Sequence, residues 1–246
     1  MTAEDYLDAI RQLPIGSLRD ITSGLPFVVL SPHPDDESLG AGGLIAAACA
    51  EGQNADVVVI TDGSGSHPRS QIYPRDKLIN LRKAEVEAAG SILGLSHDNV
   101  SYLGLQDTQA PSSGADFDAA VTAIAETCRK AGAASLFVTW DCDPHCDHEA
   151  TARMATAVRQ RLPELRLWAY PIWGWHLNPK LPLNRPAPGG LRLDISRHQD
   201  RKRAAIAAHV SQMTGLIDDD PDGFCFTKTT LAPFLGPFEY FIEVAP

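Results

Sequence analysis

Short apolar runs alternating with segments of helical length constrain this 246-residue chain more than any other feature. Phe27 to Leu30, Val57 to Ile60, Val100 to Leu103, Ser135 to Trp140 and Leu165 to Tyr170 read as strands. Between them, Gly42 to Glu51, Arg75 to Leu93, Phe117 to Lys130 and His148 to Leu162 read as helices. In the second of these, Leu78, Leu81, Val86 and Ala89 fall roughly on one face, and Gly94 is placed to cap its end. Pro163 ends the fourth. Uninterrupted apolar runs belong to strands covered on both faces, so the alternation predicts βαβ units and a mostly parallel sheet. No shift in composition divides the chain, and residues 1–246 are expected to form a single α/β domain.

The last third breaks the rhythm. Residues 171–190 are rich in Pro, Gly and Trp and read as a long surface loop. Leu191 to Ile195 reads as a strand, with Ser196 placed to cap a helix from Arg197 to Gln212. Asp218 to Gly223 reads as a solvated acidic turn, and the alternation in Phe238 to Val244 as an edge strand. Lys plus Arg number 21 against 31 Asp plus Glu, a net charge of -10, which lacks the basic footprint of a nucleic-acid or anionic-membrane binder. No apolar run approaches the ~20 residues that span a bilayer. The acidic start, Met1 to Asp8, lacks the basic region of a signal peptide. Five scattered cysteines, an odd number, do not read as a disulfide framework. The expectation is a soluble, cytoplasmic protein.

Open parallel sheets take ligands beyond the carboxyl ends of their strands. Two such positions are dense in histidine and carboxylate: Ser31-Pro-His-Pro-Asp-Asp-Glu37, and Asp141-Cys-Asp-Pro-His-Cys-Asp-His148. Imidazole and carboxylate are ligands for a divalent metal, and a catalytic zinc takes three protein ligands and leaves a position for water. His33, Asp35, Asp36, His145, Asp147 and His148 exceed that number, so some are expected to act as acid or base. Neighbouring carboxylates at Asp35 and Asp36 cannot readily face one metal, which divides them into a ligand and a base. Cys142 and Cys146 read as small loop or buried thiols, and Gly40, Gly42 and Gly43 as close helix–sheet packing. Of the aromatic residues near the long loop, Trp168 and Tyr170 read as strand packing, while Trp173 and Trp175 fit core and sugar-stacking roles equally.

The pairing of His33-Pro-Asp-Asp-Glu37 with His145-x-Asp147-His148 resembles the PIG-L/LmbE family of metal-dependent, usually zinc, N-acetylglucosaminyl deacetylases. Thr61-Asp-Gly63, Arg82-x-x-Glu85, Leu103-Gly-Leu-x-Asp107 and His209-x-Ser211-Gln212 extend the likeness. The resemblance implies a Rossmann-like three-layer fold. It implies His33, Asp36 and His148 as ligands of Zn2+, with another divalent metal such as Fe2+ as the alternative. Asp35 would be the general base for a metal-activated water. His145 would stabilise the oxyanion or act as general acid, with Asp147 orienting its ring. Arg82 and Asp107 would contact the sugar. The expected partner is a small N-acetylated amino-sugar substrate, with homo-oligomerisation left open. Ser64 and Cys146 depart from the family's Glu and Pro at those positions. The competing readings are an amidase for a larger N-acyl or thiol-conjugate group, and a non-catalytic carbohydrate-binding module with a vestigial metal site.

Overall fold

Residues 1–245 are described by a computed structural model, and each of the five apolar runs in it is a strand. Helix α1 (Ala3–Arg11), strand β1 (Ile15–Gly16) and helix α2 (Leu18–Thr22) come first. The chain then alternates through β2 (Phe27–Ser31), α3 (Asp36–Ala50), β3 (Ala55–Thr61), α4 (Arg75–Leu93), β4 (Val100–Leu105), α5 (Ala115–Ala131), β5 (Ser135–Thr139), α6 (Cys146–Arg161) and β6 (Arg166–Tyr170). The last part adds β7 (Gly190–Asp194), α7 (Gln199–Ala208), α8 (Val210–Met213), α9 (Lys228–Leu231) and β8 (Phe238–Glu243). All eight strands form one sheet in the order β1-β7-β8-β6-β5-β2-β3-β4. The stretch from β6 to β4 is parallel, and β8 runs antiparallel to both of its neighbours.

Successive strand residues face opposite sides of a sheet, and here both sides are covered. Phe27 and Val29 pack with Leu44, Val59, Val86 and Ile206 beneath α3, α4 and α7. Val28 and Leu30 pack with Val58, Val121, Ile124 and Val158 beneath α5 and α6. Helix α1, which the sequence reading left unassigned, lays Tyr6, Leu7 and Ile10 against Trp140, Ala169 and Ile242. Strand β2 is the switch point of the sheet, with β3 on one side and β5 on the other. The turns leaving β2 and β5 therefore open around a crevice, where ligands bind in folds of this kind.

Helix α3 is buried on all sides from Asp36 to Ala48. Its glycines permit that approach. A Cβ at Gly43 would stand 2.6 Å from the Ile195 side chain, and one at Gly40 would collide with the Tyr170 ring. Glu239 of β8 accepts from the backbone N–H groups of Gly43 and Leu44 at 2.6 and 2.7 Å and from Lys202 Nζ at 2.7 Å. Strand β8, expected at an edge, thus lies inside the sheet. Its one inward polar residue imitates a solvent-facing position but is buried and paired.

Other expectations shift for local reasons. Helix α3 starts at Asp36 rather than Gly42, because its first turn carries the charged residues of the crevice. The helix expected over Arg197 to Gln212 begins at Gln199 and breaks at His209. Ser196 does not cap it, and its N–H donates to Asp194 instead. The loop over residues 171–190 includes a 3-10 turn, Trp173–His176, and is tied to the N-terminus through Ala3 N–H to Leu181 O and Leu183 N–H to Met1 O. The acidic turn is a clamp. Asp219 accepts from Ser70 Oγ and from the N–H groups of Gln71 and Ile72, and Asp220 accepts from Arg69 N–H. Among the described residues no helix is long and apolar enough to cross a membrane.

Gly40→Ala is expected to destabilise the fold by about 1–3 kcal/mol through overpacking against Tyr170. Gly90→Ala in α4 is the contrast, since a Cβ there meets Leu95 at an ordinary 3.6 Å. It should be neutral or stabilising by up to about 1 kcal/mol through helix propensity. Urea denaturation of the two variants checks the difference in sign.

Candidate active site

Both histidine-rich turns sit at helix N-termini, where backbone dipoles favour carboxylates. The first, between β2 and α3, is held from beneath. Ser31 Oγ lies 2.6 Å from His33 O and 2.9 Å from Glu37 Oε2, sharing its one proton between them, and Thr61 Oγ1 donates to Pro32 O at 2.8 Å. Buried His209 reaches Glu37 Oε1 at 3.2 Å, so its place is behind the turn. The second turn, between β5 and α6, lies directly across the crevice.

Three donor atoms meet there. His33 Nδ1 and Asp36 Oδ2 are 3.2 Å apart, His148 Nε2 and Asp36 Oδ2 are 3.2 Å apart, and His148 Nε2 and His33 Nδ1 are 3.2 Å apart. A tetrahedral ion with bonds near 2.0 Å has ligand–ligand edges of about 3.3 Å, so this triangle matches one face of such a site. The other ring nitrogens are backed by carboxylates. His33 Nε2 lies 3.0 Å from Asp147 Oδ2 and 3.3 Å from Asp107 Oδ1, and His148 Nδ1 lies 3.0 Å from Asp143 Oδ2. Such contacts fix which nitrogen of a ligating histidine is free for the metal. Asp147 also accepts from Thr108 and Ala110 N–H, and Asp143 from Ile172 and Gly174 N–H. Asp35, Asp36, Glu37, Asp107, Asp143 and Asp147 are all buried, and the one permanent cation among them is Arg82. That excess of buried negative charge suits a bound cation. Other close donor sets are His33, His145 and His148; His33, Asp107 and Asp147; and His145, Cys146 and Asp147.

The Asp35 carboxylate stands outside the triangle, in the lining of the same cleft. The Asp35 φ of 145° lies in a region that non-glycine residues avoid, at a cost of about 1–3 kcal/mol. This conformation separates the two neighbouring carboxylates, sending that of Asp35 to Arg82 at 3.1 Å. Burial pushes the Asp35 carboxyl up to about 7, with Arg82 opposing the rise and Asp36 adding to it. Asp36 moves the other way: burial would raise it, but His148 and His33 outweigh that and hold it well below the usual range. His145 caps α6 by accepting Asp147 N–H on its Nδ1 at 3.2 Å. Burial, then the neighbouring His33 and His148, lowers its pKa to about 4. A neutral ring whose Nδ1 accepts carries its proton on Nε2.

One expected contact is made differently here. The Asp147 carboxylate does not orient the His145 ring. Strand pairing and the first turn of α6 aim it at His33, and only its backbone N–H reaches His145. Arg82 lines the crevice: Nη1 donates to Gly63 O at 2.9 Å, Nη2 donates to Pro34 O at 2.7 Å and to Asp35, and Nε is buried without a protein partner. Asp107 also lines it, accepting from Gly65 N–H at 2.9 Å. The cleft above the triangle has a volume of about 200 Å³. Trp173, Phe224 and Phe226 also line it, together with Gln212. Trp173 stacks parallel on Phe226 with centroids 5.5 Å apart, whereas Trp168 is core and Trp175 packs on Tyr240. Sequence reading missed Phe224, Phe226 and Asp143. Only the last carried a signal, as a further carboxylate in the second cluster. Cys142 packs beside α1, outside the donor triangle.

The PIG-L family model, described as GlcNAc-PI de-N-acetylase, matches residues 28–159. A curated relative, 1D-myo-inositol 2-acetamido-2-deoxy-alpha-D-glucopyranoside deacetylase of Mycobacteroides abscessus, is 26% identical, with 89% of this chain and 91% of that protein aligned. The fold is shared with N,N'-diacetylchitobiose deacetylase of Pyrococcus horikoshii at a TM-score of 0.66 and 20% identity, over 89% of this chain and 83% of that one. It is shared equally with GalB, the 4-carboxy-2-hydroxymuconate hydratase of Pseudomonas putida, at a TM-score of 0.66 and 19% identity over 90% and 97%. These two likenesses establish the architecture and leave the reaction to the site. Because the family match runs from β2 into the last turns of α6 and takes in both histidine turns, the chain belongs to the PIG-L family.

Proposed function

We propose that the protein is a metal-dependent hydrolase that removes the acetyl group from an N-acetylglucosamine-containing small molecule. The observation that carries this reading is the 3.2 Å triangle of His33, Asp36 and His148 with a buried carboxylate, Asp35, beside it. Membership of the PIG-L family and the activity named for the M. abscessus relative supply the substrate class. His33 Nδ1, Asp36 Oδ2 and His148 Nε2 would hold a divalent ion, zinc foremost, which supplies Lewis acidity and acidifies water when bound.

The remaining work falls to side chains. Asp35 takes a proton from the attacking water; a base with a pKa near 7 is matched to that task at neutral pH. His145 is neutral at that pH and directs its Nε2–H as a hydrogen-bond donor to charge developing on the acetamide oxygen. Its low pKa favours that role over general acid. Asp35, having gained a proton, is the group that returns it to the leaving nitrogen as the C–N bond breaks. Water and amide thereby give acetate and a free amino sugar. Asp147 and Asp143 are positioning residues for the two ligand imidazoles, and Arg82 positions Asp35.

Acetate and free amine should appear together when the metal-loaded protein meets N-acetylglucosaminides, stop on chelation, and resume when zinc returns. Turnover of longer N-acyl glucosamines alone would instead favour the amidase reading, and bound metal without turnover the binding-module reading. Asp35→Asn should lower kcat by about 10²–10⁴-fold with metal content unchanged, and near-normal turnover would contradict the assigned base. Asp143→Asn and Asp147→Asn should each weaken metal binding about 10–100-fold in competition with a chelator. The ionised form of Asp35 is the active one, so kcat/KM should fall as pH drops through the pKa of that group. Arg82→Met removes the charge that favours ionisation and should move this limb to higher pH. A limb that stays in place would exclude Asp35 as its source.

A further inference from the structure

The lining of the cleft is of two kinds. Carboxylates line it at Asp35, Asp36 and Asp107, and a contiguous aromatic cluster lines it at Trp173, Phe224 and Phe226. Among the described residues that line it, Arg82 is the only Lys or Arg; its Nη atoms are committed to Gly63 O, Pro34 O and Asp35, and its Nε, without a protein partner, is buried. No side-chain cation is left to receive an anionic group on the substrate. The chain's net charge of -10 adds long-range repulsion.

The aromatic wall is built rather than incidental. Phe224 N–H donates to Ser66 O at 2.8 Å and Phe226 N–H to Gln212 O at 2.8 Å, which fixes the segment against the loop after β3 and against α8. Asp219 and Asp220 tie the same segment to residues 69–72. Phe224 meets Trp173 and Phe226 edge-on at 5.5 and 4.8 Å, while Trp173 and Phe226 lie parallel. Both Trp173 and Phe224 remain half-buried, so each keeps surface that faces the cleft.

Resting on the deacetylase reading above, we infer that the preferred substrates carry an uncharged aglycone with an apolar ring face, and that Trp173 and Phe224 seat that ring. Anionic aglycones, whether carboxylate or phosphate, are selected against, because apart from the metal at the acetamide end no lining Lys or Arg is free to receive them. The hydrophobic and stacking contributions of a ring on this wall are of the size that yields about a tenfold preference.

The test is acetate release from the methyl, benzyl and carboxymethyl glycosides of N-acetylglucosamine, at one anomeric configuration, by the zinc-loaded wild-type protein. The expected order of kcat/KM is benzyl, methyl, carboxymethyl, with at least about tenfold between first and last. Added salt should narrow the deficit of the carboxymethyl compound by screening. Trp173→Ala and Phe224→Ala should each bring the benzyl-to-methyl ratio toward one. Equal rates on all three, or a preference for the carboxymethyl compound, overturns the inference. So does an equal loss on benzyl and methyl glycosides in both variants, which would assign the wall to the sugar ring or to the fold. No acetate from any of the three overturns the deacetylase reading itself, and this inference with it.

Discussion

Parallel pairing of β2 with β5, Val28 opposite Leu136 and Val29 opposite Phe137, sets the separation of everything in the crevice. Each strand feeds a short turn and then a helix, so two helix N-termini face one another across a fixed gap. Neither turn holds the donor set alone: His33 and Asp36 come from one, His148 from the other. The register of that strand pair is therefore what closes the triangle. Its strands are apolar without interruption because helices cover both faces, which leaves the polar chemistry only the strand ends.

A site so rich in buried carboxylate is unfavourable unless each charge is answered. Most are answered by backbone. Asp147 takes two N–H groups from the stretch after β4, Asp143 takes two from the stretch after β6, and Asp107 takes one from the loop after β3. These bonds tie the loops after β3, β4, β5 and β6 to one another around the site, so the fold and the imidazole orientations support one another. Arg82 does the same for Asp35 and for the carbonyls of Pro34 and Gly63. The strained backbone at Asp35 belongs to this design. It separates the proposed base from the proposed ligand, which are adjacent in sequence.

What could be read from sequence followed the strength of the local signal. Helix α4 appears over Arg75–Leu93 as expected, because Pro74 and the left-handed Gly94 bound it. The strands after Pro26 and around Val57 and Leu136 could be read because burial on both faces makes them uniformly apolar. The donor residues stood out because histidine and carboxylate clustered where two strands ended. Their division of labour was harder to read. The resemblance implies Asp147 as the partner of the His145 ring, yet its side chain bonds across the crevice to a residue more than a hundred positions away. Glu239 disguised an interior strand as an edge, since a buried ion pair and a solvated one look alike in sequence. The aromatic wall draws its members from two distant loops: the Trp-rich stretch marked Trp173, while nothing local marked Phe224 and Phe226 as its partners.

The account stands on the three atoms His33 Nδ1, Asp36 Oδ2 and His148 Nε2 acting as one metal face. Anomalous diffraction at the zinc edge from crystals of the metal-loaded protein tests that most directly. The account predicts one ion within about 2.0–2.2 Å of all three atoms. An ion seated instead among His33, Asp107 and Asp147, or among His145, Cys146 and Asp147, would contradict it.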